Sequence, residues 1–341
     1  MKLFLPTTLL FLGISLSAQM PGMMTVQSGS QGTSLGANDT LAYNGIALGN
    51  RVKMRGYVDF IFSHHDIDGP TENPTDFATA SDIDFLFDLS PVTAELHVAM
   101  NPDPEPENPG DPIPDQVQLE QAFGRYSFNN SFHLTFGRQL TALGFESDEA
   151  PGLYSTSAAY PDGMHGQYVD GIRVNFNNGQ FGFVLGLHDS YLGGSGNLDD
   201  EGIAIDIAAS AMIIPGLEAQ IGYANDNMDG GEKNHHFNTW IAYNPNDLTL
   251  AFEFDDYEID GNDLWDLMFL VNYQFVDWFG ATLRYTYEDV ESALGDDEIN
   301  RITLAFLFTV TDNLFFNLEY SHTDKDGSDK DEFYIESLLT F

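Results

Sequence analysis

No cysteine occurs anywhere in the chain. Disulfides, thiol-ligated metals and a lipid-modified cysteine anchor are therefore excluded. Positive charge is scarce as well, with 12 Lys and Arg against 53 Asp and Glu and a formal net charge of −41. That balance disfavours nucleic acid and anionic surfaces as partners. It suits a saline or calcium-containing exterior, where such repulsion is screened, or acidic residues that keep long loops soluble. Beyond residue 19, long apolar runs are missing: no stretch of helix-spanning length is free of charges or turn residues. No helix is thus available to cross a bilayer. A chain of this kind can cross only as a closed β-barrel, because closure alone satisfies every strand backbone group in lipid. Tryptophan is rare at 3, yet 27 Phe and 15 Tyr make the chain rich in aromatics, as expected where barrels carry aromatic girdles.

What is present agrees with that exclusion. Lys2, an apolar core over 3–16 and the small pair Ser17-Ala18 read as a secretory signal peptide over 1–19. Residues 20–50 lack alternation and are rich in Gly, Ser, Thr and Asn, so a flexible periplasmic leader or plug-like segment is expected, with no chemistry assigned. The barrel is expected over 51–341. Its last segment, Glu336-Ser337-Leu338-Leu339-Thr340-Phe341, closes on an aromatic, a mark of bacterial outer-membrane barrels. The expected location is the outer membrane of a Gram-negative bacterium.

Period-two alternation gives the strands. Val58, Phe60 and Phe62 alternate with Asp59 and Ser63; Ile83, Phe85 and Phe87 with Asp82, Asp84 and Asp88; Leu96 and Val98 with Glu95 and His97. Sixteen segments qualify, near 51–64, 79–89, 91–100, 116–127, 131–138, 167–176, 179–188, 201–210, 216–224, 234–244, 247–257, 264–275, 277–287, 298–310, 313–322 and 331–341. Between them, seven tight turns such as Asn129-Asn130 and Asn244-Pro245-Asn246 alternate with eight long loops, near 65–78, 101–115, 139–166, 189–200, 225–233, 258–263, 288–297 and 323–330. The predicted fold is all-β: a transmembrane antiparallel β-barrel of about 16 strands, with short periplasmic turns and long extracellular loops.

The run Leu119-Glu120-Gln121-Ala122-Phe123-Gly124-Arg125-Tyr126, then Gly137-Arg138-Gln139-Leu140-Thr141-Ala142-Leu143-Gly144-Phe145-Glu146 and Gly171-Ile172-Arg173, resembles the β-barrel porins of the OmpL-like group. Gly56-Tyr57-Val58-Asp59 also looks like that family. The resemblance covers about sixty residues. It departs at Asp148-Glu149-Ala150-Pro151, where the family carries an Asn-bearing stretch. It implies a porin-like diffusion channel and names no solute.

If the apolar residues face lipid, the interleaved ones face the lumen and define the channel. The inward bases are Lys53, Arg55, Arg173, Arg284 and Arg301. The inward acids are Asp59, Asp82, Asp84, Asp88, Glu95, Glu120, Asp206, Glu218, Glu253, Asp266, Glu319 and Glu336. Twelve against five predicts a cation-preferring lumen, although cross-strand pairing would satisfy many of these groups. The loop 139–166, carrying Glu146, Asp148, Glu149 and Asp162, is expected to fold inward as a constriction, its acids facing Arg173, Arg55 and Arg138 across a transverse field; the alternative is a loop that caps the barrel outside with its acids solvated. Arg138 shares phase with outward Phe132, Leu134 and Phe136, so either a bulge at Gly137 or an exit from the membrane is required.

Asp324, Asp326, Asp329 and Asp331 alternate around Gly327, a composition that suits Ca²⁺ without matching an EF-hand; metal-free acidic turns give the same pattern. The neighbours His64-His65 and His235-His236 point to opposite strand faces and cannot share an ion within a pair. Ser63-His64 and Ser321-His322 lie in no nucleophile motif, so no enzyme is expected. The expected function is passive diffusion of small hydrophilic solutes, with no cofactor beyond an optional Ca²⁺. The expected partners are the lipid bilayer and small solutes or cations, with a homotrimer as the common assembly at this size. The alternative is a structural or adhesive barrel whose acidic loops bind calcium.

Overall fold

A computed structural model describes residues 45–69, 73–101, 117–146, 149–160, 168–191, 203–227, 233–259, 261–292, 295–325 and 328–341. The segment 1–44, with the expected signal peptide, lies outside the described residues, as do Asp148, Asp162 and Asp326. A two-residue strand, β1 (Ile46–Ala47), pairs with Met54 and Lys53. Sixteen longer strands follow: β2 (Val52–Ile67), β3 (Thr75–Asp88), β4 (Val92–Met100), β5 (Val117–Asn129), β6 (Phe132–Leu140), β7 (Tyr168–Asn177), β8 (Phe181–His188), β9 (Ala204–Ile214), β10 (Leu217–Asn227), β11 (Lys233–Tyr243), β12 (Leu248–Ile259), β13 (Asn262–Val276), β14 (Phe279–Ser292), β15 (Gly295–Thr311), β16 (Leu314–Lys325) and β17 (Ser328–Thr340).

Each strand pairs antiparallel with the next, and β17 returns to β2 from Lys330↔Ile67 down to Thr340↔Tyr57. The sheet is therefore closed and has no free edge. At the seam, Gly56 and Phe341 exchange two backbone hydrogen bonds of 3.0 Å. A Cβ at position 56 would press into the Asp82 carbonyl and the Phe341 ring, so closure requires glycine there.

Alternation sets the two faces. Along β9, Ala204, Asp206 and Ala208 are at most 2% exposed, while Ile205 and Ile207 remain 43% and 40% exposed. The outer residues are apolar and the inner ones small or polar, which is the reverse of a soluble core. Aromatic rings collect where strands meet the short turns. Tyr126, Phe128 and Phe132 form one group, with centroids 4.9 and 5.2 Å apart. Phe275, Phe279 and Phe308 form another, at 5.4 and 5.2 Å. Trp265 and Tyr287, 4.8 Å apart, sit near the opposite rim. The short turns use side-chain chemistry: Asn178 accepts from the backbone of Gln180 and Phe181, and Asn246 adopts φ 53°.

Two expectations need correction. The loops near 258–263, 288–297 and 323–330 are largely strand, since β12 runs to Ile259, β14 to Ser292 and β16 to Lys325. Backbone pairing continues past the apolar zone, where polar side chains are solvated on the outer face, and hydrophobic alternation does not report it. Arg138 needs no bulge at Gly137: the register is unbroken through Gly137↔Gly171, and Arg138 stays on the outer face, two residues from the loop end of β6. Its Nη1 lies 3.1 Å from the Asp170 carboxylate and its Nε donates to the Leu119 carbonyl at 3.2 Å. Near the loop rim the roughly 2–4 kcal/mol cost of an arginine facing mid-bilayer lipid falls away, and the ion pair satisfies the charge.

Candidate pore and inward loop

Thirteen of the expected wall residues are sealed on the inner face: Arg55, Asp59, Asp82, Asp84, Glu95, Arg173, Asp206, Glu253, Asp266, Arg284, Arg301, Glu319 and Glu336, each at most 6% exposed. Lys53 shares the inward parity of β2 and is partly exposed. Glu120 reaches the lumen by another route. The β4–β5 register skips at His97/Val98, so Glu120 is the extra residue of a bulge and lies against Asp82. Below the bulge the parity changes, which turns Gln121, Phe123 and Arg125 inward. Arg125 thus joins the wall although the sequence reading missed it. His97, His188, Asp226, His236, Asp255, Glu288 and Glu332 were also missed and are all at most 6% exposed. Parity already pointed to His97 and Asp255; the others lie beyond or at the ends of the strands as read from alternation.

Many of these groups are paired. Arg55 Nε meets Asp84 Oδ2 at 2.6 Å, Arg173 and His188 flank Asp206 at 3.3 and 2.8 Å, and Arg301 reaches Glu332 at 3.0 Å. One row is different. Asp255, Asp266 and Glu288 stand directly opposite one another on β12, β13 and β14, with exposures of 2%, 0% and 0%. Neither oxygen of Asp266 has a hydrogen-bond partner among the described residues. Like charges directly opposite repel, so this part of the wall is a strip of crowded acidic groups.

The segment after β6 folds into the barrel and crosses it. Arg173 Nη1 donates to the Leu140 carbonyl at 2.8 Å and Gln220 Nε2 to that of Ala142 at 3.0 Å. Ala142 and Leu143 then pack with Val184, Tyr191, Ala204, Ala208 and Ala224. A Cβ at Gly222 would collide with Leu143, so that glycine makes room for the loop. Phe145 stacks with Tyr154 and meets the edge of Trp240, at 6.1 and 5.7 Å, while its N–H donates to Glu253 at 2.6 Å.

Beyond that apolar anchor the contacts are ionic and polar. Glu146 takes Arg284 Nη1 on both oxygens, at 3.1 and 2.8 Å, and Arg284 Nη2 donates to the carbonyls of Ser157 and Ala158 at 3.0 and 2.7 Å. Thr156 N–H donates to Glu319 at 2.6 Å and its hydroxyl to Glu336 at 2.9 Å; the Ser157 hydroxyl also donates to Glu319. Glu149 returns to the opposite wall, 3.7 Å from His97. Burial alone would raise the Glu149 carboxyl, but His97 and Arg55 hold it below its ordinary value. The expected transverse arrangement therefore differs in detail. Glu146 meets Arg284 rather than Arg173 or Arg55, and Arg138 faces outward.

Asp324, near the end of β16, stands opposite Asp329 at the start of β17. Asp331 is held by His322 at 2.8 Å and by the Tyr320 hydroxyl at 2.6 Å. Asp331 is thus committed to side chains of its own hairpin rather than to an open acidic loop. His235 lies outside near Glu258 and His236 inside on Asp255, 3.2 and 2.7 Å respectively. Ser321 donates to Glu319 in the lumen, whereas His322 faces outward, so that pair is split between faces.

No curated protein matches the sequence. Among solved structures, the outer membrane channel DcaP of Acinetobacter baumannii superposes with a TM-score of 0.64 at 11% identity, covering 87% of this chain and 99% of that one. Salmonella typhi OmpF, in complex with daunomycin, gives 0.65 at 12%, covering 86% and 98%. An anion-selective porin from Comamonas acidovorans gives 0.61 at 14%, covering 85% and 99%. These likenesses establish the barrel fold. The family described as "Putative beta-barrel porin-2, OmpL-like" matches residues 106–337. The chain therefore belongs to the OmpL-like β-barrel porins and is an outer-membrane channel protein of the Gram-negative envelope.

Proposed function

We propose that the barrel passes small hydrophilic solutes passively, prefers cations, and is narrowed by the segment 141–160. The observation that carries the sign of the preference is the buried acidic row Asp255–Asp266–Glu288, at whose centre neither oxygen of Asp266 has a hydrogen-bond partner among the described residues. The anion selectivity named for the Comamonas porin belongs to that protein, and the fold they share leaves the sign to the wall residues. The narrowing is supported by loop atoms bonded to Glu253, Arg284 and Glu319 on β12, β14 and β16. No catalytic step is part of this reading. A trimer is the assembly proposed, by analogy with a trimer form described for Vibrio cholerae OmpT.

Liposome swelling tests the solute claim. Vesicles containing the refolded protein should swell in isotonic sugars at rates that fall steeply with sugar size. The second reading, a structural or adhesive barrel, draws on the apolar packing of Phe145, Tyr154, Tyr160 and Trp240 deep in the lumen. Swelling no faster than that of protein-free vesicles would select it.

A further inference from the structure

We propose that Asp84, His97 and Glu149 bind one divalent transition-metal ion, and that this ion ties the inward loop to the barrel wall. The three residues come from β3, β4 and the loop, all are buried, and one donor atom from each lies within 4.8 Å of the others. A carboxylate–imidazole set suits the zinc and manganese class rather than a hard all-oxygen cation.

The distances fit an ion. His97 Nδ1 is 3.0 Å from Asp84 Oδ1 and 3.7 Å from Glu149 Oε1. Ligands bound at roughly 2.0–2.2 Å in tetrahedral geometry stand about 3.4 Å apart, between those two values. The outer contacts orient the donors. With His97 Nε2 donating to Glu95 Oε2 at 3.0 Å, the neutral ring has Nδ1 as its acceptor nitrogen. Arg55 binds the other oxygen of Asp84, Oδ2, at 2.6 Å and leaves Oδ1 toward the site. The Gln121 amide nitrogen lies 3.1 Å from Nδ1, its oxygen being taken by the Leu140 N–H. In the neutral tautomer Nδ1 presents a lone pair to two carboxylates, the form a cation between them would select in place of a protonated ring; Gln121 gives way when the ion takes the lone pair.

A second observation points to the same place. Asp82 is 1% exposed, neither of its oxygens has a hydrogen-bond partner among the described residues, and it lies against Asp84 and Glu120. The five carboxylates of Asp82, Asp84, Glu95, Glu120 and Glu149 crowd around the His97 ring and the guanidiniums of Arg55 and Arg125. Asp82 is placed to supply a fourth oxygen or to balance the charge of the ion.

Binding does not depend on the channel reading; only its effect on conductance does. Chelator-stripped, detergent-folded full-length protein is titrated with Zn²⁺ in a calorimeter. The wild type should take up one tight equivalent. His97→Gln and Glu149→Gln should each weaken it at least tenfold, and Glu95→Gln, which removes only the outer partner, by about 10–100-fold. His322→Gln, at the rim, should leave it unchanged. Circular dichroism confirms that each variant keeps its β signal, and Glu149, on the loop, serves where a wall variant does not fold. Absence of tight Zn²⁺ binding, or equal binding by folded His97→Gln and Glu149→Gln, would overturn the site. In planar bilayers Zn²⁺ should quiet current fluctuations of the wild type and not of Glu149→Gln. Zinc that binds but leaves the current unchanged would overturn the tie to the loop.

Discussion

Arg284 is the side chain on which the loop most depends, because one guanidinium serves both oxygens of Glu146 and the carbonyls of Ser157 and Ala158. Removing one partner of a buried ion pair costs about 3–5 kcal/mol, since the other charge is stranded. Arg284→Ala should therefore release the segment 141–160 while the barrel stays folded. The expected result is a severalfold larger single-channel conductance with more open-channel noise, and an unchanged trace would show that the loop does not limit flow. Asp170 plays a smaller part on the outer face. Asp170→Ala leaves Arg138 facing the lipid rim with only the Leu119 carbonyl, and denaturant unfolding should show a loss of about 1 kcal/mol, the interfacial end of the range. The seam glycine Gly56 is stricter: Gly56→Val, with backbone and Phe341 in the way, should abolish folding from urea into micelles.

At the scale of elements, the strip on β12, β13 and β14 separates electrostatics from stability. Asp266→Asn relieves two like-charge cross-strand contacts, each worth a few tenths to about 1 kcal/mol. The variant should be at least as stable as the wild type in denaturant while its K⁺ over Cl⁻ preference falls. Lower stability with unchanged selectivity would mean that Asp266 is a structural acid and not part of the ion path. The strands themselves were legible in the sequence, because lipid on one side and polar lumen on the other write period two into every crossing. What parity could not supply was the bulge that brings Glu120 and Gln121 to the same side and turns Arg125 inward. Nor does hydrophobic alternation mark where paired backbone stops, so Glu288 and Glu332 fell outside the strands as read.

For the whole molecule, closure from β2 to β17 fixes which groups share the lumen, and the inward loop divides that space. Its docking was invisible to local patterning for a geometric reason: Phe145 meets Glu253 and Thr156 meets Glu336 across 108 and 180 residues of chain. Composition supports the proposed sign, since 53 acids against 12 bases leave few cations to neutralise the wall. The central claim is that this barrel conducts and that its acidic wall favours cations. The measurement is the reversal potential of single channels in a planar bilayer under a KCl gradient. Stable conductance with a reversal potential shifted toward that of K⁺ is the predicted result, and a shift toward Cl⁻, or no conductance at all, would contradict it.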